Sequence, residues 1–290
     1  VEPIPGWTRV IGGVVAVGTG LVAIPMIVLG TASLASTIAQ VQRTTTFIVG
    51  AAPRLQVDTQ VGVAIEAGRD GRIVVEDQRS AGSITRAAAA AALKQMAVDV
   101  SRQGDLVVVR QAASPALPTL LERSSLITIQ VPAHTDLDVN ALGDSRIQGI
   151  DGAVHLTSPG TLEVRDSTLQ GTSTVSAPVG QVDLTNVTVA GSTTVKTTLG
   201  GITFAGRLAP GGSSLDIEDQ AGGVSVVLPR PTDARAVIIT QSGQFRADGT
   251  WLFTPDEVTA PRRWTADLGP NPTGTVTVRT GLGSVEFGSR

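Results

Sequence analysis

From residue 158 onward the chain repeats itself every 20 residues, and that period leaves few folds open. Gly160, Gly180 and Gly200 fall in step, as do Gly171, Gly191 and Gly211. Apolar residues march with them: Leu162, Val182 and Ile202; Val164, Leu184 and Phe204; Leu169, Val189 and Ala209; Val175, Val195 and Leu215. Polar Glu163, Asp183 and Thr203 sit between the first two columns, as they do when alternate side chains of a strand face opposite ways. A fixed period near 20 with apolar positions in register implies a stack of coils, each coil being one repeat. The expected fold is all-β, a parallel β-solenoid of the β-helix kind, with rungs of about 20 residues over 131–290. Burying each aliphatic side chain contributes on the order of 1.5–3 kcal/mol before chain entropy is counted, so only several coils together are stable.

The side chains available suit such a core. The chain has five Phe, three Trp and no Tyr, so its interior must be thin, regular and aliphatic. Asp166, Asn186 and Gly206 form a corner column of residues that tolerate turn backbone. Later echoes of the glycine-led pattern stand at Gly222, Gly243 and Gly283. Between the last two lies an insertion with Trp251, Phe253 and Trp264. These rings are expected to cap the open end of the stack or to offer a partner an aromatic platform.

The N-terminal part differs. Val10 to Ala39 carries no charged side chain, Arg9 and Arg43 flank it, and the run exceeds the roughly 20 residues that cross a bilayer as a helix. It is expected to be one retained transmembrane helix, 10–39, after a tail of residues 1–9, although the small residues of TASLAS also suit a leader's cleavage site. Gly12, Ala16 and Gly20 would give that helix a small-residue packing stripe, Pro25 a kink and Trp7 an interfacial anchor. Residues 40–130 read as a β-rich part of short Val-rich strands. Within it the Ala-rich stretch near 84–97 suits a short helix, with strand or loop as the alternative.

Motifs of chemistry are weak throughout. The net charge of −3 offers no footprint for nucleic acid, and without cysteine there is neither thiolate zinc nor a cysteine nucleophile. GTGLVA, from Gly18, mimics a dinucleotide fingerprint but lacks the acidic residue about 20 positions on. Asp136, Asp138 and Asn140 start like a calcium loop, yet Ala141 and Ile147 stand where Gly and Glu are required, so a solvated strand face is expected. His134 and His155 are scattered. Asp216, Glu218 and Asp219 could form a glycosidase-like pair only if their spacing allowed it. No catalytic, cofactor or metal residue is assigned.

The segment order carries a further signal: VPAHTDLDV at Val131, GTLEV at Gly160, GQVDL at Gly180, GGVSVVLP ending at Pro229, TQSGQF at Thr240 and TGLGSVEF at Thr280. It resembles the bacterial putative-adhesin domains of unknown function, from about Thr46 to the C-terminus. The resemblance implies a β-solenoid, often tethered by a single helix, without established catalytic residues. The expectation is therefore a non-catalytic, membrane-anchored scaffold or adhesin-like module. It would sit in the cytoplasmic membrane as a single-pass protein, its C-terminal domain extracytoplasmic. The partners expected are membrane lipid and other subunits or a surface partner, but not nucleic acid. The alternative is an accessory subunit of a larger membrane complex, packed through the helix.

Overall fold

The computed structural model describes residues 22–29, 37–83, 85–111, 120–257 and 260–290. Among them the chain is all-β, one 24-stranded sheet curling round a continuous aliphatic core, with a single helix, Arg86–Gln95. Leu162 pairs in parallel register with Val182, Val182 with Ile202, Ile202 with Val224 and Val224 with Val285. Val164, Leu184, Phe204, Val226 and Phe287 form the next column inward, all buried. A second wall stacks Val175, Val195, Ile217, Val278 and Ile238.

Two columns expected from counting are corrected. Asn186 is an extra residue with φ of 56°, so the register slips between Thr185 and Val187 and Leu208, not Ala209, stands beside Val189. Ile217, not Leu215, continues from Val195, because this coil is two residues longer. Asp166 at φ of 49° adopts the same left-handed corner as Asn186, and Gly206 does not.

The purely parallel solenoid is also corrected, because the sheet is mixed. At one end Val22–Leu29, Thr37–Ile48, Arg72–Ser83 and Leu120–Val131 run antiparallel in succession. At the other, Arg262–Asp267 is antiparallel to both Ala234–Thr240 and Thr254–Glu257. Nor are the coils stacked in chain order. Gly274–Leu282 lies between Ser214–Ala221 and Ala234–Thr240, and Val285–Ser289 lies between Val224–Leu228 and Phe245–Ala247. The last coil of the chain is thus inserted between two earlier ones. The other end repeats the device: Arg54–Thr59 lies between Leu106–Gln111 and Asp136–Ala141.

The expected transmembrane helix is overturned, and with it falls the single-pass placement with an extracytoplasmic C-terminal domain, whose orientation rested on the resemblance. Within the charge-free run, Val22–Leu29 is a strand paired antiparallel with Thr37–Ile48. No helix among the described residues is long and apolar enough to cross a membrane. The β-branched residues of VAIPMIVL favour a strand, and Pro25, costly inside a helix, is tolerated on a strand with one described neighbour. Gly12, Ala16 and Gly20 lie outside the described residues, as does Trp7.

Arg86–Gln95 begins at Thr85, whose Oγ1 accepts from the Ala88 amide at 3.2 Å. The helix buries Ala89, Ala92 and Leu93 against Ala39 and Ala81. Beneath it the buried Arg79 pairs with Asp77 at 2.9 Å and donates to the Leu93 carbonyl.

Glycine sets the contact distance at one corner of the coils from Gly160 onward. A Cβ on Gly180 would lie 1.9 Å from the Gly160 oxygen, one on Gly200 2.2 Å from that of Gly180, and one on Gly222 1.5 Å from that of Gly200. The series continues to Gly283 against Gly222 and then Gly243 against Gly283, the same out-of-order stacking shown by the strands. Gly180→Ala should therefore prevent folding or cost more than about 3 kcal/mol, since the clash is with backbone. Gly171→Ala, at φ of 55° with open space around its Cβ position, should cost only about 1 kcal/mol. Urea unfolding of the two variants checks the contrast.

Candidate functional site

Strand alternation sends Asp216 and Glu218 outward and Leu215, Ile217 and Asp219 inward. On the outer face the register lines up Ser176, Lys196, Glu218, Arg279 and Ile239, one from each neighbouring strand. Lys196 Nζ meets Glu218 Oε2 at 2.8 Å, and Arg279 pairs with Asp216 and, at 3.5 Å, with Glu218. The hydrogen bond to Asp216 raises the Arg279 pKa further, so its charge is fixed. All of these side chains are partly solvated, so the network orders the surface more than it stabilises the fold.

Beside this row a groove of about 650 Å³ is lined by Lys196, Glu218 and Arg279 together with Pro178, Pro261 and Leu282. Val179, Leu199 and Leu282, each just ahead of a corner glycine, are 60%, 54% and 63% exposed. Asp219 also reaches the groove lining, although only 3% of it is exposed. Burial pushes its carboxyl up to about 6. The Ala221 amide offsets part of that rise without meeting hydrogen-bond geometry.

The acidic trio is thus split. A glycosidase pair needs two carboxyl groups facing one bond from opposite sides, one of them held protonated. Asp216 and Glu218 share a face and a guanidinium, while the carboxyl with the raised pKa points to the other side of the sheet. The trio therefore does not present that paired arrangement.

Trp251, Phe253 and Trp264 come together with Phe245 and Phe287 at the end of the core. Phe253 lies 4.8 Å from Phe245 and 5.2 Å from Phe287, Trp264 5.1 Å from Phe245, and Trp251 5.6 Å from Phe287. Trp251 is buried and donates from Nε1 to the Leu268 carbonyl at 3.1 Å. Asp136, Asp138 and Asn140 line the outer face of Asp136–Ala141, and the Asp136 carboxylate accepts from the Ala153 amide. His134 pairs with Asp151 at 3.0 Å on the surface, and His155 lies on an outer face beside Asp138. Among the described residues no three His, Asp or Glu side chains are placed to hold a metal.

Sequence reasoning grouped Asp219 with its neighbours by proximity and missed its burial. The signal was present: in SLDIEDQA, Asp219 shares parity with Leu215 and Ile217.

No family model matches the chain, and no curated protein matches it. Among solved structures it is similar to a putative cell adhesion protein from Clostridium sporogenes, at 12% identity and a TM-score of 0.39, over 86% of this chain and 100% of that one. It is similar to a putative adhesin from Bacteroides fragilis, at 12% identity and a TM-score of 0.40, over 85% and 96%. A third, described as a putative lipid binding protein from Parabacteroides distasonis, is 8% identical with a TM-score of 0.28, over 86% and 96%.

Asp219 and Asp77 both rise from 3.8 to about 6, chiefly by desolvation. Between pH 4 and pH 6 the native chain then holds more protons than the unfolded one, so stability falls as pH rises through that window. Asp219→Asn removes that residue's share, about 1–3 kcal/mol, and should be more stable than the parent above pH 6. Urea unfolding at low salt across pH 4–8 measures this; an unchanged pH slope would contradict it.

Proposed function

We propose that this chain is a non-catalytic interaction module, adhesin-like in its way of working, which docks a protein surface on the row Lys196, Glu218, Arg279 and the adjoining corner. The observation that carries this reading is the pairing of a fixed charge lattice with an exposed aliphatic ridge. Each charged side chain comes from a different strand of one sheet, so its position is set by backbone register, and little ordering remains to be done on binding. Val179, Leu199 and Leu282 supply apolar area along the edge, and a protein interface combines such an apolar centre with a polar rim. The charges would then govern orientation and association rate more than total affinity.

The rival reading, a polysaccharide-active enzyme, required the acidic trio to act across one substrate, and its carboxylates face opposite sides of the sheet. Beads coated with the chain should adhere to bacterial cell envelopes. The variant Lys196→Glu/Arg279→Glu and the variant Leu199→Asp/Leu282→Asp should each lower adhesion by about fivefold or more at unchanged melting temperature. Undiminished adhesion by both variants would place the contact elsewhere, and no adhesion by the parent chain would remove the interaction reading.

A further inference from the structure

The inward column beside the glycine corner is polar where its neighbours are aliphatic. In two coils it holds a hydroxyl that ties down a corner carbonyl of the preceding coil: Ser158 Oγ donates to the Gly143 oxygen at 2.6 Å, and Thr197 Oγ1 to that of Gly180 at 3.3 Å. At the Thr197 level a Cβ on Gly200 would lie 2.2 Å from the Gly180 oxygen and 3.2 Å from Thr197 Oγ1. One coil on, Asp219 stands in register with Thr197, and a Cβ on Gly222 would lie 1.5 Å from the Gly200 oxygen and 3.0 Å from Asp219 Oδ2. The arrangement repeats, with Asp219 Oδ2 in the place of the threonine hydroxyl. A carboxylic acid has a hydrogen to donate there, whereas a carboxylate would set lone pairs against lone pairs in a site only 3% exposed. Neither Asp219 oxygen has another hydrogen-bond partner.

Among the described residues, the elements packed against this carboxyl turn their charges away from it. Val182–Leu199 and Gly274–Leu282 place Asp183, Lys196 and Arg279 on outer faces, as Asp216 and Glu218 are on its own strand, and the inward neighbours are Thr197 and Thr280. On Ile202–Leu208 the Arg207 guanidinium donates outward to Thr188. We propose that Asp219 is a proton-operated latch at the docking corner: as the acid it donates to the Gly200 carbonyl and holds the turn after Leu199, and as the carboxylate it releases that turn. The regulation this supplies rests on the docking reading above. Burial, opposed by the Ala221 amide, pushes the carboxyl up to about 6, so the latch is closed in acid and opens as pH rises through that value. The proton leaves by the groove, which Thr197, Asp219 and Thr280 help to line. Leu199, one residue before the released turn, and Leu282, in register with it through Ala221, move with the corner.

Carbon-13 NMR of the full chain from pH 4.5 to 7.5 tests the latch. The Asp219 carboxyl carbon should titrate near 6, and the Leu199 and Leu282 methyl signals should follow with the same midpoint. Asp219→Asn keeps an N–H donor at every pH and should hold those methyls at their acid positions, although Asp77, also pushed up to about 6, is still present. Coated beads of the parent should adhere about fivefold better at pH 5 than at pH 7.5, and those of Asp219→Asn equally at both. An Asp219 carboxyl already ionised at pH 5, or methyls that ignore its titration, would overturn the latch; the parent's titration decides this even if Asp219→Asn fails to fold. Methyls that follow the carboxyl in a chain that adheres at no pH would uphold the latch and remove the docking reading. Adhesion independent of pH while the methyls move would overturn the regulation.

Discussion

Backbone touches backbone at the glycine corner, and the rest of the molecule is arranged round that contact. With no Cβ between them, Gly160, Gly180, Gly200, Gly222, Gly283 and Gly243 let successive coils close to hydrogen-bonding distance at the sharpest bend. Once the corner is fixed, strand register on both adjoining walls follows, and with it the stacking of Leu162 on Val182 and of Val195 on Ile217. The aliphatic columns supply the free energy, and the glycines decide which side chains meet.

The same register explains why charge appears where it does. Outward positions at one level bring Lys196, Glu218 and Arg279 from three strands into one row, and the next inward position places Asp219, Thr280 and Thr240 in another. One row is solvated and mutually neutralised; the other is buried and unsatisfied. They lie on either side of one sheet beside one groove. Two neighbouring carboxylates, Glu218 and Asp219, have opposite electrostatic fates because strand alternation turns one to water and the other to the core.

Much of the central stack was legible in the sequence, because a period of 20 with alternating polarity has one economical solution. Leu162, Val182 and Ile202 stand in register, as counting suggested. Counting failed at Ala209 and Leu215, where a bulge at Asn186 and a longer coil changed register without disturbing the apolar pattern. It had no means of finding the inserted last coil, since any glycine-led aliphatic coil can stack on any other. Hydropathy misled within the run from Val10 to Ala39: an uncharged stretch says that it seeks an apolar environment, and the Val, Ile and Pro25 of Val22–Leu29 make that part a poor helix, as its pairing with Thr37–Ile48 shows. Of the site, the charged residues were visible, but Asp219 was read by its neighbours instead of by its parity.

The inserted coil sets which strands meet at the C-terminal end, and disulfide trapping tests it most directly, since the chain has no cysteine of its own. In the structure Val237 pairs with Thr277, and Thr277 with Asp216, so Val237 and Asp216 are two coils apart. Adjacent coils lie about 4.8 Å apart and alternate ones about 9.6 Å, on either side of the roughly 7 Å limit for a bridge. Asp216→Cys/Thr277→Cys should therefore cross-link on mild oxidation, and Val237→Cys/Asp216→Cys should not. Bridging of the second pair without the first would mean that these coils follow chain order, and the account of the C-terminal end of the fold would be wrong.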